Sequence, residues 1–143
     1  MAKPSIQYKS GYKYQLHNEH QVKVSIKTEK DVPTKDAARS YLELKTDRTL
    51  IIKRGYAWDG PSGPTIDTRN FMRGSLVHDA LYQLMRSGDI DQKFRKDADV
   101  ELRKICREDG MSWIRSWWVY WAVRIFAKKA ASQEMLKEVQ IAP

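Results

Sequence analysis

The hydrophobic period changes near the middle of the chain, and that change limits the fold more than any other feature. From Gln21 to Lys27 apolar and polar residues alternate, Tyr41–Lys45 repeats the alternation, and Thr49–Lys53 is a short β-rich run. A period of two sends successive side chains to opposite faces of a sheet. Beyond Asn70 the apolar residues recur three and four apart, which gives a helix one buried stripe. Strands first and helices afterwards describe an α+β chain. The expected architecture is a small antiparallel sheet from residues ~6–54, packed on three C-terminal helices within ~70–130. Pro33 cannot donate to a ladder, so residues 32–36 read as a loop. Thr46-Asp47-Arg48 reads as a hairpin connection. Residues 1–14 give no clear pattern.

The helices have recognisable ends. The first is expected from Asn70 or Phe71 to Arg86, with Asn70 as N-cap and Gly88 as the stop. The second is expected from Asp91 to Asp109, stopped by Gly110. The third starts near Ser112 and runs past Lys128, before a polar tail at 131–143. Trp113, Ile114, Trp117, Trp118, Val119, Tyr120, Trp121, Val123, Ile125 and Phe126 leave little of its circumference polar. A helix apolar all round is either central to a core or covered by something else. Trp113, Trp117, Trp118 and Trp121 are therefore candidates both for core and for a partner or oligomer surface, because tryptophan dominates interface energetics. Arg115, Arg124, Lys128 and Lys129 also permit docking on an anionic membrane surface.

At 143 residues the chain is expected to be a single domain needing no disulfide staples. No apolar run reaches the ~20 residues of a spanning helix, and no secretory signal is expected. One cysteine excludes a disulfide framework and a cysteine-based zinc site. The formal charge is +8 and the isoelectric point about 9.6, which favours anionic partners. The basic residues are scattered from Lys3 to Lys137 rather than clustered, which argues against nucleic acid as the partner.

Chemistry concentrates in two places. Gly55-Tyr56-Ala57-Trp58-Asp59-Gly60-Pro61-Ser62-Gly63-Pro64 is a rigid irregular loop, with Tyr56 and Trp58 expected to anchor it. It leads into Leu76-Val77-His78-Asp79-Ala80-Leu81-Tyr82. A His-Asp pair inside an apolar helix must find partners, since burying an unpaired charge is costly. Asp99, on the following helix, sits beside that helix's buried stripe. A short connection between antiparallel helices brings it alongside His78, where it would fix the imidazole tautomer for general-base work. Asp59 and Asp79 remain as hard oxygen ligands suited to calcium or magnesium, with Ser62 and Tyr82 in support. A satisfied structural pair is the plainer alternative. Gly55-x-x-x-x-Gly60 lacks the Lys-Ser/Thr of a phosphate loop. His17 and His20 read as surface residues, and Cys106 as core.

The loop Gly55–Pro64, the run Leu76–Tyr82, the pair Ala98-Asp99 and the ending Ala122-Val123-Arg124 together resemble domain of unknown function 1353, a family of small phage and prophage proteins. The resemblance covers roughly residues 50–127. It departs at Trp58 and Gly63 and spares Asp59, Ser62, His78, Asp79 and Asp99. It implies a phage or prophage source and a place in the host cytoplasm or the phage particle, without an established activity. The His-Asp helix also looks like that of secreted phospholipases, where His is the base, the next Asp holds calcium and a further Asp orients the His. Two functions are therefore expected to compete. One is a metal-assisted hydrolase of an anionic or ester substrate, with His78 and Asp99 as its dyad. The other is a non-catalytic component of the tail, baseplate or capsid, docking on phage structural proteins or a second copy.

Overall fold

A computed structural model describes residues 8–9, 14–32, 41–58 and 69–126. Asp59, Ser62, residues 33–40 and the expected polar tail lie outside them, as do Lys128 and Lys129. The fold is α+β, with antiparallel strands in the N-terminal half and three helices in the C-terminal half. Strands and helices fall into separate compact units.

The strands are β1 (Tyr8–Lys9), β2 (Tyr14–Leu16), β3 (His20–Lys23), β4 (Leu42–Leu44), β5 (Thr49–Ile52) and β6 (Ala57–Trp58). They form two three-stranded sheets, in the orders β1-β2-β6 and β3-β5-β4. In the second sheet Val22 faces Leu50 and His20 faces Ile52, while Leu44 and Leu42 flank the same two β5 residues. Because the side-chain period is two, this register gathers Leu42, Leu44, Leu50 and Ile52 on one fully buried face. His20 takes its place on that face and is buried, not on the surface as its sequence context suggested. The β3 ladder ends at Lys23, short of Lys27, although Val24 and Ile26 remain buried.

The β4–β5 hairpin turns where expected. Arg48 N–H donates to Lys45 O at 2.9 Å, and Asp47 Oδ1 accepts from Thr49 N–H at 3.0 Å. Arg48 has φ +71°, the left-handed residue that lets a short loop match strand twist. Tyr56 and Trp58 are both buried and hold the start of the motif loop. Trp58 pairs with Tyr14 across β2–β6, their rings 5.6 Å apart.

The helices are α1 (Arg69–Arg86), α2 (Arg95–Glu108) and α3 (Trp113–Phe126). Helix α1 begins one residue before Asn70, so Asn70 lies within it rather than capping it. It ends at Gly88 (φ +75°), with Gly88 N–H on Met85 O and Asp89 N–H on Leu84 O. Helix α2 ends the same way at Gly110 (φ +99°), with Gly110 N–H on Arg107 O and Met111 N–H on Cys106 O. These paired bonds satisfy carbonyls left over at a helix end, and glycine supplies the left-handed residue without a Cβ clash. Asp91 caps a single 3-10 turn, Gln92–Phe94, and α2 proper starts only after it. Ser112 Oγ accepts from Arg115 N–H and caps α3.

Helix α2 packs against both α1 and α3. Phe71, Leu102, Cys106, Met111 and Val119 share one buried cluster. The α1–α2 approach is close because Gly74 has no side chain, and a Cβ there would lie 2.8 Å from Cys106 Sγ. Arg73 is buried and bound to Asp109, with Nε 3.0 Å from Oδ2.

Candidate active site

His78 and Tyr82 are four residues apart on α1 and so share one face. Their rings lie 4.1 Å apart. That face meets Asp99, in the second turn of α2. Asp99 Oδ1 is 2.7 Å from His78 Nε2 and accepts from the Tyr82 hydroxyl at 2.5 Å. Asp99 Oδ2 accepts from Arg124 Nη1 of α3 at 2.9 Å. One carboxylate thus ties all three helices.

Asp99 is fully buried. Burial opposes its charge, but hydrogen bonds from His78, Tyr82 and Arg124, with the charge attraction of His78, outweigh that and hold its pKa below the ordinary 3.8. Burial first, and the adjacent carboxylate second, push the Tyr82 hydroxyl far above its usual pKa, so it serves as a donor. With an ionised acceptor on one side, His78 Nε2 must carry a proton, and Nδ1 is the lone-pair nitrogen of the neutral ring. The His78 side chain is 12% exposed, so its ring is not sealed from solvent. A base oriented by a buried carboxylate is the arrangement proton abstraction requires.

The expected pairing of His78 with Asp99 is therefore in place, with Tyr82 in direct contact. Asp79 is half-buried on α1. As the next residue it points about 100° away from His78. Among the described residues no group of three or more His, Cys, Asp or Glu is placed to hold a metal ion. Trp113, Trp118 and Trp121 are exposed, while Trp117 is half-buried with the Arg103 guanidinium 3.9 Å above its ring. Only one side of α3, at Ser116, Val119 and Tyr120, is buried.

Sequence reasoning missed Arg124 as a site residue, treating it as a surface cation. Its signal was its place four residues after buried Tyr120 on an apolar helix, where a cation needs an acid. Arg95 was missed too. Its Nη2 donates to Val123 O at 3.0 Å and to Arg124 O, and so holds the backbone that carries Arg124.

These features define a class: α+β proteins whose three helices close on a hydrogen-bonded His–Asp pair. The chain belongs to the family described as Protein of unknown function (DUF1353), whose model matches residues 36–123. The match contains His78, Tyr82 and Asp99 and stops one residue before Arg124. No curated protein and no solved structure matches the chain.

Proposed function

We propose that this protein is a hydrolase of an ester with an anionic substrate, using His78 as general base and Asp99 as the residue that positions it. One observation carries the reading: a fully buried, ionised carboxylate takes up His78 Nε2 while the ring keeps access to solvent. His78 Nδ1 takes a proton from water, and the water oxygen bonds to the ester carbonyl carbon. The imidazolium is stabilised by Asp99, and its proton passes to the departing alkoxide as the C–O bond breaks. Asp79 would supply a hard oxygen ligand, and calcium or magnesium held there would polarise the ester carbonyl. The layout is similar to that of secreted phospholipases in its base, its neighbouring Asp and its orienting Asp.

The test is hydrolysis of nitrophenyl esters and phosphatidylglycerol vesicles, with calcium or magnesium present. Wild-type protein is expected to turn over at least one, and His78→Gln to lose about a hundredfold or more. Glutamine retains an N–H for Asp99, so the fold survives the change. No turnover by wild type, or full activity in His78→Gln, overturns the reading.

A second reading has its own support, since Asp99 joins α2 to both α1 and α3. The network would then serve only to fix the fold of a phage-particle component, in the host cytoplasm or the virion. Under it, His78→Gln leaves particle assembly intact.

A further inference from the structure

Five of the six exposed large hydrophobic residues among those described lie on α3: Trp113, Ile114, Trp118, Trp121 and Ile125. Ile114 is 76% exposed and Ile125 66%, values far above what a core helix would give. Ile114, Trp118, Trp121 and Ile125 are spaced four, three and four apart, which lines them up along a helix. That line runs opposite Ser116, Val119 and Tyr120, which face inward. The stripe and Trp113 present on the order of 600 Å² of apolar surface. This is the upper end for the largest patch on a monomer.

Charge selects the occupant. Helix α3 carries no acidic residue, and it belongs to a chain of net charge +8. A second copy would set one strongly basic chain against another, whereas an anionic surface complements it. Helix α3 has 14 residues, and among the described residues no helix is long and apolar enough to cross a membrane, which suits α3 to lying along a bilayer. Tryptophan is the residue best suited to the headgroup boundary.

We infer that α3 docks this protein on an anionic lipid surface, with Ile114, Trp118, Trp121 and Ile125 set into the headgroup boundary. This deepens the hydrolase reading by naming its substrate class, esters of anionic amphiphiles, and it rests on that reading only for the substrate. Arg124 links the two, because the helix that meets lipid also binds Asp99.

The test is co-sedimentation of the full chain with vesicles of phosphatidylglycerol or phosphatidylcholine, read together with tryptophan emission. Binding to phosphatidylglycerol is expected at least tenfold above phosphatidylcholine, weakening with salt, with a blue-shifted emission. Trp118→Ser/Trp121→Ser should lose it tenfold with its circular dichroism unchanged. Should that variant unfold, Ile114→Ser/Ile125→Ser takes its place. Equal binding to both lipids, no binding, or unchanged binding by a folded variant overturns the inference. So does a wild-type dimer that ignores vesicles and dissociates on the same substitutions, since it gives the stripe to a second copy. His78→Gln should bind vesicles like wild type, so loss of turnover and loss of docking are read separately.

Discussion

Replacing Asp99 with asparagine tests the central network most directly. The amide oxygen can still accept from Tyr82 and His78 at the Oδ1 position. The amide NH2 must then face Arg124 Nη1 across the 2.9 Å that separates Oδ2 from it. A charge-assisted hydrogen bond is lost, and two donors confront each other. Removing one member of a buried ion pair costs about 3–5 kcal/mol. The Arg124 side chain is 26% exposed, so water relieves part of the penalty and the lower end applies, about 3 kcal/mol. For a domain of this size that lowers Tm by roughly 6–12 °C. Thermal circular dichroism reads the helices directly. Urea unfolding followed by tryptophan emission is the second assay, since four of the five tryptophans lie on α3. Asp99→Asn/Arg124→Met removes the confrontation and should recover about 1 kcal/mol relative to additivity. The pH dependence has a definite sign. The folded Asp99 pKa lies below 3.8, so its stabilisation is complete above that value and is lost as pH falls through the lower folded pKa. Asp99→Asn should lack this acid limb. A loss below about 1 kcal/mol, against the 3–5 expected of a buried pair, would refute the reasoning.

Gly74→Ala gains about 1 kcal/mol of helix propensity, but its Cβ meets Cys106 Sγ at 2.8 Å, Leu102 Cδ1 at 3.1 Å and Leu102 O at 3.3 Å. Overpacking of about 1–3 kcal/mol should win, and a stabilised variant in urea unfolding would contradict the close α1–α2 approach. Burial, chiefly, and then Asp109 push the Cys106 thiol up to about 12 from 9.0. A thiol reagent near pH 8 should therefore label native protein about a thousandfold more slowly than unfolded protein, and comparable rates would place Cys106 outside the core. Calcium titrated into wild type should give saturable heat that Asp79→Asn abolishes, and wild-type protein without such heat removes the ion from the hydrolase reading.

The sequence made the α+β division legible because each half keeps one hydrophobic period. The β4–β5 turn and the glycine stops at Gly88 and Gly110 were legible for a local reason: each depends on a few adjacent residues and one left-handed φ. What depends on register or on distant partners was not. His20 looked like a surface residue until strand pairing put it beside Ile52. The pairing of His78 with Asp99 could be anticipated, since it needs only two antiparallel helices. The Arg124 contact comes from a third helix 25 residues beyond Asp99, and spacing alone does not reveal such a contact. Composition could not divide α3 either, because its buried and exposed sides are both apolar.

The network around Asp99 bears on the choice between the two functions through what it costs. Apolar residues of similar volume hold three helices together as well as a buried ion pair does, and often better, because no charge has to leave water. Fold stability alone therefore gives little reason for a carboxylate at this position. A fold-fixing role accounts for the Tyr82 and Arg124 contacts, which are buried or turned inward. It accounts less well for His78, whose ring stays partly open to solvent. A general base needs those properties together: a fixed tautomer, a buried counter-charge and an accessible lone pair. The exposed side of α3 extends the same reasoning. Its large apolar side chains stand more than half open to solvent, yet it belongs to the helix that delivers Arg124 to Asp99. On the proposed reading, a surface that would recruit substrate and a cation that would help fix the dyad share one helix, an arrangement that a purely structural role does not require.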